Sequence, residues 1–134
     1  MILLINLINP SLPAVVFFKA GKAFFGRALG RAKSGACAIR EINRLKKKHG
    51  FNLAGVKIFA ALSGPASFSG VRSEMAIVNS LAMALKKPVV IIDEKEIDNL
   101  NSAGDVIARK KPQKIVLPVY DREPNITISK KATK

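Results

Sequence analysis

From Val71 to Lys86 the apolar residues fall on two faces of a helix rather than one. Val71, Met75, Val78, Ala82 and Leu85 share one face; Ile77, Leu81 and Ala84 share another. A helix with this pattern has to be covered on both sides. A sheet can cover one face and a neighbouring helix part of the other, and a second subunit is the expected cover for the rest. The pattern also leaves open that both faces are core of one chain.

The flanking segments supply the sheet. Met1 to Leu7 reads as a buried strand and Ala14 to Lys19 as a second. Ala23 to Ala28 reads as a third, with Ala20-Gly21-Lys22 as the turn of an antiparallel hairpin. Ser34 is a candidate N-cap for a first helix from Gly35 to His49, which Gly50 stops. Ala38, Ile39, Ile42 and Leu45 form its apolar stripe. Val56 to Leu62 reads as a fourth strand buried on both faces, and Val89 to Ile92 as a fifth. The order β-β-β-α-β-α-β predicts an α/β fold, a mixed five-stranded sheet with helices on its faces. Beyond Asp93, Glu96 to Lys111 reads as a helix interrupted at Asn101 and Gly104. Lys114 to Tyr120 reads as a short strand, and Asp121 to Lys134 as an extended basic tail. The expected organisation is one lobe over residues 1–92, a shortened segment over 93–120 and a tail over 121–134.

Charge is the strongest compositional signal. The 134 residues carry a net +14, and residues 1–92 alone hold 14 Lys and Arg against Glu41 and Glu74. Such a surplus favours nucleic acid or an acidic partner over a neutral one. No apolar run approaches the roughly 20 residues of a membrane-spanning helix, so no membrane contact is expected. No basic region precedes the apolar N-terminus, so no signal peptide is expected. Cys37 is the single cysteine, so no intramolecular disulfide is possible; a cytoplasmic location is the expectation.

Catalytic groups are sparse. Cys37 and His49 lie twelve residues apart on one expected helix, about 18 Å along its axis, where a dyad needs about 3 Å. Asp93, Glu94, Glu96 and Asp98 cluster after the fifth strand. They fit a solvated helix start better than a metal site. The loop Ser63 to Arg72, SGPASFSGVR, lies between a strand and a helix, as phosphate-cradling loops do. It lacks the Gly-Lys-Ser/Thr of a P-loop and the three-glycine dinucleotide pattern. Ser67 or Ser69 capping the second helix accounts for its composition. No catalytic residue, cofactor or metal is assigned.

The stretch SGPASFSGVRSEMAIVNSLAMALKKPVVII resembles the G-P-G-S-F-T-G-[LV]-R motif, helix and strand of the bacterial TsaB (YeaZ) family. IREINRLKKKHGFNLAGVKIFAAL resembles that family's first helix and fourth strand, and VLPVYDREPNITISKK its C-terminal tail. The motif residues here are Gly64, Pro65, Ser67, Phe68, Ser69, Gly70 and Arg72. The resemblance implies a ribonuclease-H-like, actin-like ATPase (ASKHA) lobe. It also implies a non-catalytic role in threonylcarbamoyl modification of the tRNA adenosine beside the anticodon. The implied partners are a TsaD-like catalytic subunit and a TsaE-like ATPase. Pairing, like family self-association, uses the first two helices, which makes Ile39, Ile42, Val71, Met75, Val78 and Ala82 the candidate interface. Val78→Asp or Met75→Glu should then leave a folded monomer that cannot assemble.

The chain also departs from the pattern. Family members begin with a strand ending in Asp-Thr-Ser, whereas Asn6-Leu7-Ile8 stands here, and Asn6 cannot supply a carboxylate to a metal-bound nucleotide. Ala66 replaces the second glycine of the motif, and Ser34 to Cys37 replaces the usual His-Ser start of the first helix. Residues 93–113 stand where a second half-domain is expected. A homodimer without the family role, or a small basic tRNA-binding module carried by Arg44, Lys46, Lys47 and Lys48, is the competing reading.

Overall fold

The computed structural model describes residues 1–26, 35–64 and 68–113. The strands are β1 (Ile2–Ile5), β2 (Val15–Lys19), β3 (Lys22–Phe25), β4 (Ile58–Ser63) and β5 (Val89–Asp93). The helices are α1 (Gly35–His49), α2 (Phe68–Leu85) and α3 (Leu100–Arg109). Arg27, Ala28, Ser34, the strand expected over Lys114 to Tyr120 and the tail beyond it lie outside the described residues.

The five strands form one mixed sheet in the order β3-β2-β1-β4-β5. β1 runs antiparallel to β2 and parallel to β4, and β4 runs parallel to β5. At the hairpin, Ala20 and Gly21 both adopt left-handed φ, 53° and 77°. That backbone twist matches the flanking strands. Lys19 therefore pairs with Lys22, which belongs to β3 and not to the turn as expected. β1 ends two residues early because the Asn6 side chain takes over the bonding of the next segment. β4 begins late because Asn52 caps a 3-10 turn over Leu53–Gly55. Both long helices stop on left-handed residues, Gly50 and Lys86. The following amides reach back, Phe51 N–H to the Lys46 carbonyl and Lys87 N–H to that of Ala82, closing the last turn of each.

Successive side chains of a strand point to opposite faces. Phe17 packs on Phe51, which follows α1, with ring centroids 5.0 Å apart. Phe18 faces α3 at Gly104. α1 and α2 thus cover one face of the sheet and α3 the other. Leu3, Leu4, Ile5, Val16, Phe17, Phe59, Ala60 and Ala61 fill the centre at 1% exposure or less. No described helix is long and apolar enough to cross a membrane.

α3 corrects the expectation at Asn101 and Gly104, since both lie inside the helix. Asn99 caps it, its side chain accepting from the Ser102 N–H at 3.0 Å. Asn101 Oδ1 accepts from the Ala23 N–H at 3.1 Å and ties the helix to β3. Gly104 lets Phe18 approach: a Cβ there would sit 2.9 Å from Phe18 Cδ1 and 3.1 Å from Phe18 Cβ. The Phe18 Cβ is fixed by its strand and cannot rotate away. Gly104→Val is expected to destabilise the chain by about 2 kcal/mol, read as a lower midpoint in thermal unfolding. An unchanged midpoint would show that α3 does not pack here.

Candidate functional site

Because β1, β4 and β5 are parallel, their C-terminal ends meet along one edge of the sheet, the usual place for a ligand in an α/β fold. Asn6 sits there at 1% exposure. Its Nδ2 donates to the carbonyls of Asn9, Leu12 and Pro13 at 2.8, 3.2 and 3.0 Å. Its Oδ1 accepts from the N–H groups of Ile8 and Asn9 at 3.0 and 2.8 Å. The side chain is fully engaged in holding the β1–β2 loop. Asn9 Nδ2 in turn donates to Glu94 Oε1 at 2.9 Å, joining that loop to the end of β5. Gly64 leaves room for this link, since a Cβ there would fall 2.6 Å from Glu94 Cδ.

The acids after β5 are similarly occupied. Asp93 accepts from the Lys95 N–H and Glu96 from the Asp93 N–H, a reciprocal cap on the turn Glu94–Glu96. The acids thus stand at a helix start as expected, but it is that of the 3-10 turn Glu94–Glu96, and α3 begins later, at Leu100. Lys110, 2.7 Å away, holds the exposed Glu96 carboxyl below its ordinary range. Among the described residues no three Asp, Glu, His or Cys converge to hold a metal.

Glu74, on α2, is the acid that the sequence reading passed over. It is fully buried, and its Oε1 accepts from the Leu7 N–H at 2.9 Å, tying α2 to the end of β1. Its Oε2 has no hydrogen-bond partner among the described residues. Burial raises the carboxyl well above the usual carboxylate range, against the pull of the Leu7 and Leu62 amides. The signal was present: position 74 falls between Val71 and Val78 on the helix face that carries the core.

The motif loop is described in part. Gly64 is half-buried at the end of β4. Pro65 and Ser67, with Ala66, lie outside the described residues. Phe68, Ser69 and Gly70 form the first turn of α2, so Ser69 is inside the helix and is not its N-cap as one alternative had it. Arg72 is exposed and forms no ion pair among the described residues. Cys37 and His49 lie near opposite ends of α1.

The six candidate interface residues separate. Val71, Met75, Val78 and Ala82 of α2, with Ile42 of α1, are at most 4% exposed and belong to the core. They face inward because the sheet covers this side of α2, so they cannot meet a partner in the folded chain. Ile39 alone of the six is exposed, at 45%. The second apolar face of α2 is the one left uncovered. Ile77 and Leu81 are half-buried and Ala84 is exposed. Met83, exposed at 62%, lies on the other flank of α2, beside Lys86, Lys87, Pro112 and Gln113. α1 reaches that face where Gly35 meets Ile77, a Cβ at Gly35 lying 3.2 Å from Ile77 Cδ1. Ile39 follows Gly35 by one helical turn on the same side of α1.

This arrangement of sheet and helices has counterparts among solved structures. YeaZ from Pseudomonas aeruginosa aligns with a TM-score of 0.58 and 26% identity, over 69% of this chain and 43% of that one. The chain is a structural relative of YeaZ. A second structure is described as an uncharacterized protein with similarity to peptidase YEAZ from Pseudomonas aeruginosa. It aligns with a TM-score of 0.57 and 26% identity, over 69% of this chain and 42% of that one. The chain therefore spans less than half the length of either YeaZ-like structure. No protein-family model and no curated protein matches the sequence.

Proposed function

We propose that this YeaZ-like chain is a non-catalytic partner subunit in threonylcarbamoyl modification of tRNA. It pairs with a TsaD-like catalytic subunit through the outward side of α1 and α2, and a TsaE-like ATPase completes the assembly in the cytoplasm. The observation that carries this reading is the incompletely covered apolar side of α1 and α2, where exposed Ile39 and Ala84 accompany half-buried Ile77 and Leu81, on the two helices that the family resemblance implicates. Contiguous apolar surface of this kind marks an interaction site. The order β3-β2-β1-β4-β5 with α1 and α2 on one face supports reading the lobe as ribonuclease-H-like, of the actin-like ATPase class. Asn6 supports the non-enzymatic reading: it lacks a carboxylate, and its amide is fully committed to backbone.

The test separates surface from core. Ile39→Asp with Ala84→Asp changes two exposed positions, so stability should move by no more than about 0.5 kcal/mol each. Affinity for the TsaD-like subunit of the same organism, read by titration calorimetry, should fall at least ~100-fold, as loss of central apolar anchors does. Val78→Asp puts a charge at a fully buried site and is expected to unfold the chain, contrary to the folded monomer first expected. Undiminished affinity in the double variant would remove the α1–α2 surface from the proposal.

A further inference from the structure

Positive charge is concentrated at the opposite end of the sheet. Lys19 and Lys22 face each other across β2 and β3. Ile2 pairs with Phe18, which places Met1 beside Lys19. Ile2 also pairs with Ile58, which places Lys57 beside Met1, and the Lys57 N–H donates to the Met1 carbonyl at 2.7 Å. Lys22, Lys19 and Lys57 therefore stand in one row across four strands. The row is about 15 Å long at the usual strand spacing. All three lysines are exposed, and none forms an ion pair among the described residues. Burial, then repulsion from Lys57 and Lys19, lowers the pKa of the Met1 amino group from its ordinary value, which shows how closely these charges crowd. Like charges facing each other across strands destabilise a sheet, so the fold itself gives no reason for the row.

Aromatic rings border the same end. α1 ends in Lys46, Lys47, Lys48 and His49. The exposed His49 ring stacks on Phe51 at 5.3 Å, and Phe24 meets it edge-on at 4.9 Å. The Lys19 ammonium lies 5.7 Å from the centre of the Phe51 ring. Phe24 and Phe51 are half-buried, so the cluster offers one exposed flat ring among cations.

We propose that this end of the sheet binds single-stranded nucleic acid. Lys22, Lys19 and Lys57 contact successive phosphates, and His49, backed by Phe51, accepts an unpaired base. Cation rows beside aromatic rings are how proteins hold single strands without reading sequence. An anionic membrane would call for protruding apolar side chains on this face, but the exposed Phe25 belongs to the other face of β3. An acidic protein segment would give the rings no role. The site lies away from the α1–α2 strip and is tested on the isolated chain, so it stands or falls separately from the partner proposal.

The measurement is fluorescence anisotropy of single-stranded RNA and DNA oligomers, about 20 nucleotides long, against salt. Substituting Lys19, Lys22 and Lys57 together by Gln should weaken binding at least ~10-fold at about 100 mM salt. It should also reduce the slope of log K against log salt by about 2, as expected for three lost phosphate contacts on a single strand. The thermal midpoint should hold or rise as repulsion is relieved. His49→Ala should weaken binding about 5-fold or more, the low end of one stacked base. The control Lys86→Gln, Lys95→Gln and Lys111→Gln, all at exposed positions elsewhere, should keep the wild-type slope. An equal loss in the control would overturn the site in favour of general charge. No binding to either oligomer, with binding to phosphatidylserine vesicles or polyglutamate instead, would overturn the choice of ligand.

Discussion

Asn6→Asp is expected to destabilise the chain by about 3–5 kcal/mol at neutral pH, more than Asn6→Ala. The substitution changes one atom of the side chain and restores the acid that the family pattern carries at this place. Here, however, that atom is the Nδ2 that donates to three backbone carbonyls. A carboxylate oxygen has no proton to give. It would place negative charge against three carbonyl dipoles at a site 1% exposed. The remaining oxygen could still accept from the Ile8 and Asn9 amides. With about 5–15 kcal/mol holding a typical domain, much of the stability is at stake. Acid should reduce the penalty, because a protonated carboxyl can donate one of the lost bonds. Urea unfolding of wild type, Asn6→Asp and Asn6→Ala would show it. Equal midpoints for wild type and Asn6→Asp would mean that the loop is not held as described.

The second large effect is expected from Glu74. Its carboxyl titrates higher in the folded chain than in the unfolded one, where it lies near the ordinary 4.5. Between those two values the folded state holds a proton that the unfolded state has lost. Stability contributed by protonated Glu74 is therefore fully present below the unfolded value and is lost as pH rises through the folded one. The slope is at most about 1.4 kcal/mol per pH unit for one proton. Glu74→Gln keeps an acceptor for the Leu7 N–H and does not titrate, so unfolding free energy against pH should be flatter by that slope above about pH 4.5. Parallel curves for variant and wild type would show that Glu74 does not titrate with a raised value.

Local patterns made most of the fold legible. Short β-branched runs marked the strands, Gly21 the hairpin and Gly50 the end of α1. α3 was misread because Asn and Gly are poor helix formers in isolation. Tertiary contacts outweigh that preference here, as Asn101 bonds to β3 and Gly104 admits Phe18. The two apolar faces of α2 were read correctly as faces, but hydropathy cannot say which one meets the sheet. Val71 and Val78 turned inward, and Ile77 and Leu81 were left toward the surface. The role of Asn6 was hidden for another reason. Its five partners are backbone groups of its own loop, and their positions depend on the folded path of Pro10 and Pro13 rather than on residue identity.

The most direct test of the partner reading is light scattering after size exclusion, on the full chain by itself and mixed with the TsaD-like subunit of its own organism. The account predicts a stable one-to-one species in the mixture that is lost when Ile39 and Ala84 are both replaced by Asp. Two separate peaks from the wild-type mixture would contradict it, and a homodimer formed by the chain alone would assign the exposed strip to self-association instead.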